Sequence, residues 1–202
     1  MDIQEQDIGP DLAILIREAC LAGATEVMPV APAEIVVEER LAGYCREPQC
    51  PNFAQSLSCP PHVAGPAGFL ALRDSSRAAL VVRIEVPSAV LFSDERREVM
   101  RLLHEITAGI ERSAIARGYA GSKAFAGGSC KDLFCHDHLT CQVLAGNGKC
   151  RNPTQARPSM SGFGINVAKM LQAAGCSEAK STRPAIPGME SMSWLAGLVL
   201  IA

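Results

Sequence analysis

Aromatic side chains are scarce in this chain: one Trp, two Tyr and six Phe among 202 residues, or 4%. That removes the ring platforms on which single-stranded nucleic acids stack, and it leaves the core to Ala, Val, Leu and Ile. Basic charge is not in excess either. The formal net charge of −2 gives no bulk attraction to nucleic acid or to an anionic membrane. Long apolar runs are missing; the C-terminal "WLAGLVLIA" is far too short to span a bilayer and reads as a buried strand. The N-terminal "MDIQEQDIGPDLAILI" is acidic, without the basic region and small-residue cleavage site of a secretory signal. No G-x-G-x-x-G follows a strand, no Walker lysine motif occurs, and there is no internal repeat or low-complexity tract. The expectation is a cytoplasmic chain with no nucleic-acid or membrane partner.

Cysteine, by contrast, is plentiful, with nine residues. A chain of this length buries a sufficient core without cross-links, and the cytoplasm keeps thiols reduced. The count is odd and the cysteines are clustered, which argues further against disulfide staples. Hydrophobic residues at 48% and charged residues at 20% are an ordinary globular balance, and the length fits one domain over residues 1–202.

Hydrophobic periodicity outlines the framework. Residues 11–22 read as a helix with Leu12, Leu15, Ile16, Ala19 and Cys20 on one stripe, which makes Cys20 a small core residue. "AEIVVEE" (33–39) reads as a short strand. Residues 44–66 carry five prolines and no periodicity, so they form a loop. "RAALVVRIEV" (77–86) is the clearest strand, closed by Pro87. Ser93 with Asp94 and Glu95 opens a long helix whose stripe of Val99, Leu103, Ile106, Ile110 and Ala114 stops at Gly118. His104 lies beside that stripe as a packed or solvated histidine. "YAGSKAFAGG" (119–128) reads as a strand, and "SMSGFGINVAKMLQAAG" (159–175) as a helix ending at Gly175. Residues 181–191 read as loop and 192–201 as the last strand; Cys176 is structural. The order of elements predicts an α+β fold resembling an α/β sandwich. One mixed sheet is flanked by helices, and the cysteine loops lie at element ends.

Two cysteine groups remain. "CREPQCPNFAQSLSCPPH" supplies Cys45, Cys50 and Cys59 at spacing C-x4-C-x8-C, and a second loop supplies Cys130, Cys135, Cys141 and Cys150 at C-x4-C-x5-C-x8-C. A polynuclear cluster takes thiolates from several directions, which suits irregular loops with uneven gaps. Cys50 and Cys59 are each followed by Pro, as in ferredoxin-type runs. Zinc is the alternative, with His62, His136 and His138 within reach, but zinc knuckles pair their ligands at C-x2–4-C spacing. Spacing therefore favours one or two iron–sulfur clusters of 4Fe–4S type. Arg46, Arg151 and Arg157, with Lys131 and Lys149, are the cations that would stabilise an anionic cluster or bind a small anionic substrate. Arg157 in "ARPSM" stands between the cysteine loop and a helix start with Ser159 and Ser161 at hand.

"CPNFAQSLSCPP", "GGSCKDLFCHDHLTC", "CRNPTQARPSMSGFGINV" and "GLVLI", in that order, resemble a widespread prokaryotic family of predicted metal-binding proteins, a domain of unknown function. The resemblance runs from about Cys45 to the C-terminus. It implies that Cys45, Cys50, Cys59, Cys130, Cys135, Cys141 and Cys150 bind metal, and that relatives belong to anaerobic bacteria and archaea. Where that family commonly has Tyr and Trp in the first cysteine loop, this chain has Phe53 and Leu57.

Three functional classes follow. The first is an iron–sulfur protein that moves electrons, as a carrier or a reductase accessory with a redox partner protein. The second is an enzyme in which Cys45, Cys50 and Cys59 leave one iron open as a Lewis acid, with His62 or Arg157 as acid or anchor. The third is a zinc-stabilised binding module. A cysteine nucleophile is disfavoured, because no Cys outside the clusters pairs with an obvious base.

Overall fold

The computed structural model describes residues 8–146, 148–176 and 191–202. Helix α1 (Gly9–Leu21) leads into strand β1 (Glu26–Val30), a 3₁₀ turn (Pro32–Glu34) and the short helix α2 (Glu39–Gly43). After the first cysteine loop come α3 (Gly65–Asp74), β2 (Ala78–Pro87), α4 (Ser88–Leu91) and the long α5 (Arg96–Ala116). Then follow β3 (Lys123–Phe125), α6 (Cys130–Phe134), a 3₁₀ turn (Met160–Phe163), α7 (Val167–Ala173) and β4 (Met192–Ile201).

The four strands form one sheet in the order β1-β2-β4-β3. Its ladders are all antiparallel, correcting the expectation of a mixed sheet. β2 and β4 pair along their whole length, from Ala78 opposite Ile201 to Pro87 opposite Met192. Strands covered on both faces read as nearly continuous apolar runs, and "ALVV" and "LAGLVLI" do so. Leu80, Val82, Ile84, Val199 and Ile201 meet α1 and α5 on one face, while Ala79, Val81, Ala196, Leu198 and Leu200 meet Phe69, Phe163 and Met170 on the other. The α+β class and the layered arrangement therefore hold.

Several local expectations shift. The segment 33–39 does not join the sheet. Only Val37 bridges, opposite Ile165, because Glu38 N–H and Val36 C=O pair with residues 164–166 instead. Gly164 makes this approach possible: it has φ 71°, and a Cβ there would lie 2.6 Å from the Glu38 carbonyl oxygen. The same residue splits the helix expected over 159–175 into a 3₁₀ turn and α7. Cys20 is exposed, not core, since α1 buries Leu15 and Ala19 and turns its last residues outward. Of the loop expected at 181–191, all but Ser191 lies outside the described residues. No helix among the described residues is long and apolar enough to cross a membrane.

Candidate metal centre

The two cysteine loops meet beside the end of β3. The first runs from α2 to α3; the second leaves β3 through Gly127 and Gly128 and returns beside its own start. Ala126 N–H donates to Pro158 C=O, and Met160 N–H donates to Ala126 C=O. The loops are also stitched to each other, since Ser159 N–H donates to Ser58 C=O at 3.1 Å.

One side chain closes the mouth of the second loop. His104, fully buried on α5, accepts from Arg157 N–H through Nδ1 at 3.2 Å, so the ring proton sits on Nε2, which donates to Gly127 C=O at 3.0 Å. Burial lowers its pKa to about 4, with the Arg157 charge adding to the effect against the opposing Gly127 contact. The imidazole is thus neutral and ties residues 127 and 157 together.

The thiols separate into two neighbouring pockets. Cys45, Cys50 and Cys59 line a cavity of about 140 Å³ whose other walls include Asn52, Phe53, Ser129, Ser159 and Ser161. Cys130, Cys135, Cys141 and Cys150 line a tighter space of about 20 Å³ with Ser56, Phe134, Arg151 and Asn152, roughly the room of one water molecule. The pockets adjoin where Cys59 Sγ lies 3.3 Å from Ser129 Oγ, one residue before Cys130. Among the described residues, no three His, Cys, Asp or Glu side chains converge on the position of a single ion.

Polar hydrogens point at the sulfurs. Asn152 donates from Nδ2 to Cys135 Sγ at 3.3 Å and from its backbone N–H to Cys150 Sγ at 3.4 Å. Burial opposes ionisation of Cys141, but the amides of Leu144, Leu57 and Val143 and the Arg151 charge outweigh it and lower its pKa. Burial raises the Cys130 pKa; Ser58 and Ser56 pull against it, and the neighbouring Cys59 and Cys150 reinforce it. The Ser56 hydroxyl is fully buried at the wall of the four-cysteine pocket. Cys45 is likewise raised, by burial and then by Cys50 and Cys59. Protons on crowded, buried thiols leave readily only when a cation replaces them.

The predicted cations divide. Arg151 lines the four-cysteine pocket and donates to Thr140 C=O at 3.3 Å. Arg46 is exposed on a groove shared with Tyr44, Phe53 and Pro60, next to the three-cysteine pocket. Arg157 turns elsewhere. Its Nε lies 2.6 Å from Glu111 Oε2, in ion-pair contact without hydrogen-bond alignment, and Nη1 donates to Pro153 and Ala156 C=O. Glu111 Oε1 also accepts from Ala124 N–H at 3.0 Å, so the pair fastens the exit of the second loop to α5 and β3. A buried carboxylate on α5 claims Arg157 before the cysteines can. His62, His136 and His138 are exposed and line neither pocket, His136 being 3.0 Å from Asp137. Sequence reasoning missed Ser56, Ser129 and Asn152, although each is a short polar residue within three positions of a cysteine. It also missed Glu111, which nothing local marks.

The donor set, seven thiols with amide and hydroxyl hydrogens directed at several of them, is that of a metal-binding protein. The chain belongs to the family described as Predicted metal-binding protein (DUF2284), whose model matches residues 28–201. No curated protein and no solved structure matches the chain.

Proposed function

We propose that the chain is an iron–sulfur protein with two centres, one held by Cys130, Cys135, Cys141 and Cys150 and the other by Cys45, Cys50 and Cys59, and that it transfers electrons. The observation that carries this reading is the separation of the thiols into two adjoining pockets instead of one convergent knot. Structural zinc gathers four donors around a single point. A cluster spreads its thiolates, because each binds a different iron, and hydrogen bonds to sulfur belong to its usual surroundings. The Asn152 and Leu144 donors fit that role.

Iron–sulfur centres, when bound, supply reversible one-electron chemistry. The protein's own contribution is to hold the two thiol sets side by side, exclude bulk water from Cys59 and Cys130, and place Arg151 near the four-thiolate group. The three-cysteine pocket also favours a second reading. Its cavity faces Asn52, Ser159 and Ser161 and offers no fourth thiol, so a substrate oxygen or sulfur could complete the coordination there, as in Lewis-acid catalysis.

Anaerobic purification followed by iron, sulfide and zinc analysis tests the proposal. A brown protein with equal iron and acid-labile sulfide supports it; a colourless protein with zinc and no sulfide overturns it.

A further inference from the structure

The three-cysteine pocket does not end at its thiols. Phe53 and Pro60 wall both that pocket and a surface groove of about 850 Å³. The 3₁₀ turn Met160–Phe163 borders both as well, with Ser161 on the pocket and Gly162 on the groove. A side chain at Gly162 would crowd this junction, since a Cβ would lie 3.0 Å from Pro60 Cδ and from Val63 Cγ2. Pocket and groove share their walls and make one recess, of a size that takes a small molecule.

The two ends of the recess differ in chemistry. Tyr44, Phe53, Pro60, Pro61, Val63 and Pro66 give the groove a mostly apolar wall, suited to a flat apolar body. Its charged residues balance in sign, Glu39 and Glu47 against Arg40 and Arg46, and Arg40 is already 2.6 Å from Glu38. No surplus of positive charge is left for an anion. The pocket end is polar and, beside its thiols, is lined by Asn52, Ser129, Ser159 and Ser161, with no Lys, Arg, Asp or Glu among the described residues. Ser129 Oγ meets Cys59 Sγ at 3.3 Å. Ser159, only 8% exposed, makes no side-chain hydrogen bond among the described residues, and neither do Asn52 and Ser161. A charged head group would be desolvated there without a counter-ion, whereas a hydroxyl or carbonyl meets matching donors and acceptors.

We infer that this recess binds an uncharged small molecule with a flat apolar body and a hydroxyl or carbonyl head, the body in the groove and the head among Asn52, Ser159 and Ser161 beside the thiols. The inference rests on the reading of the three-cysteine pocket as an open coordination site for its chemistry. The binding itself is read from the shape, charge and polar wall of the recess. Asn52, Ser159 and Ser161 orient the head, and the lack of a counter-ion at the pocket end excludes charged analogues of the same body.

The test is a calorimetric titration of the anaerobically purified protein with cinnamyl alcohol, cinnamate and cinnamylammonium, which share one body and differ in the charge of the head. Iron and sulfide are assayed on the same preparation. Saturable binding of the alcohol is expected, about tenfold or more tighter than that of either ion. Ser159→Ala, which removes one hydroxyl from the pocket end, is expected to weaken alcohol binding about fivefold or more. Ala67→Trp, which fills the groove from an exposed position on α3, is expected to weaken it about tenfold. Both variants should keep the iron and sulfide of the parent. Absence of alcohol binding, an ion bound as tightly as the alcohol, or undiminished binding by both variants overturns the inference. A preparation without iron and sulfide would instead overturn the iron–sulfur reading, and its titration still decides the recess.

Discussion

Cys59 Sγ and Ser129 Oγ lie 3.3 Å apart, joining the three-cysteine pocket to the residue that precedes Cys130. The thiol donates to the hydroxyl while protonated; once Cys59 is a thiolate the direction reverses and the hydroxyl donates. That reversal makes Ser129 a sensor of the charge on Cys59. If the proposed iron–sulfur centres are present, Ser129→Ala is expected to retain them and to lower the reduction potential of the one held by Cys45, Cys50 and Cys59 by tens of millivolts, because a hydrogen bond that favours the more negative state is lost. Potentiometric titration followed by EPR checks this, and an unchanged potential would mean that the contact does not persist around the bound centre.

His104 gives the second prediction. His104→Ala strands the Gly127 carbonyl and the Arg157 amide and leaves a void on α5, so a loss of about 3–5 kcal/mol is expected in urea unfolding. His104→Gln, which keeps a donor and an acceptor, should lose less.

The same residue sets a pH dependence. Its folded pKa of about 4 lies below the ordinary value near 6.5, so the unfolded chain takes up the proton first as pH falls. The stability tied to the neutral ring is complete above about pH 6.5 and is lost progressively down to about pH 4, with a total of roughly 3 kcal/mol. Unfolding midpoints at several pH values, compared with those of His104→Gln, isolate this component; parallel curves for the two proteins would contradict it.

The buried pair on α5 supplies a fourth. Glu111→Gln leaves the Arg157 charge without its counter-ion and is expected to cost about 3–5 kcal/mol, whereas Glu111→Gln combined with Arg157→Met should recover part of that loss. A double-mutant cycle reads the coupling directly. A loss in the double variant equal to the sum of the two single losses would show that the pair contributes nothing beyond its parts.

Much of this architecture is legible in the sequence, and the exceptions have physical causes. β2, β4 and the stripe of α5 announce themselves because covered strands are continuously apolar and a long amphipathic helix repeats its buried positions. β1 escaped because its five residues "EVMPV" carry a proline and too little alternation to stand out from their surroundings. The run 33–39 looks like a strand and is extended, but its partner is the loop at 164–166, a pairing that no local pattern encodes. Spacing set apart the two cysteine groups that line the two pockets, yet it is silent on the pockets lying side by side. Arg157 shows the limit most clearly: its nearness to the cysteines in sequence suggested a ligand's neighbour, and only the fold brings Glu111, from 46 residues earlier, to its guanidinium.

The central claim, that the seven cysteines form two separate centres, is tested most directly by iron and sulfide analysis with EPR on anaerobically purified Cys50→Ser and Cys141→Ser variants beside the parent protein. Each variant is predicted to lose one signal and part of the iron while keeping the other signal intact. Loss of all iron and sulfide from both variants, or their absence from the parent, would contradict it.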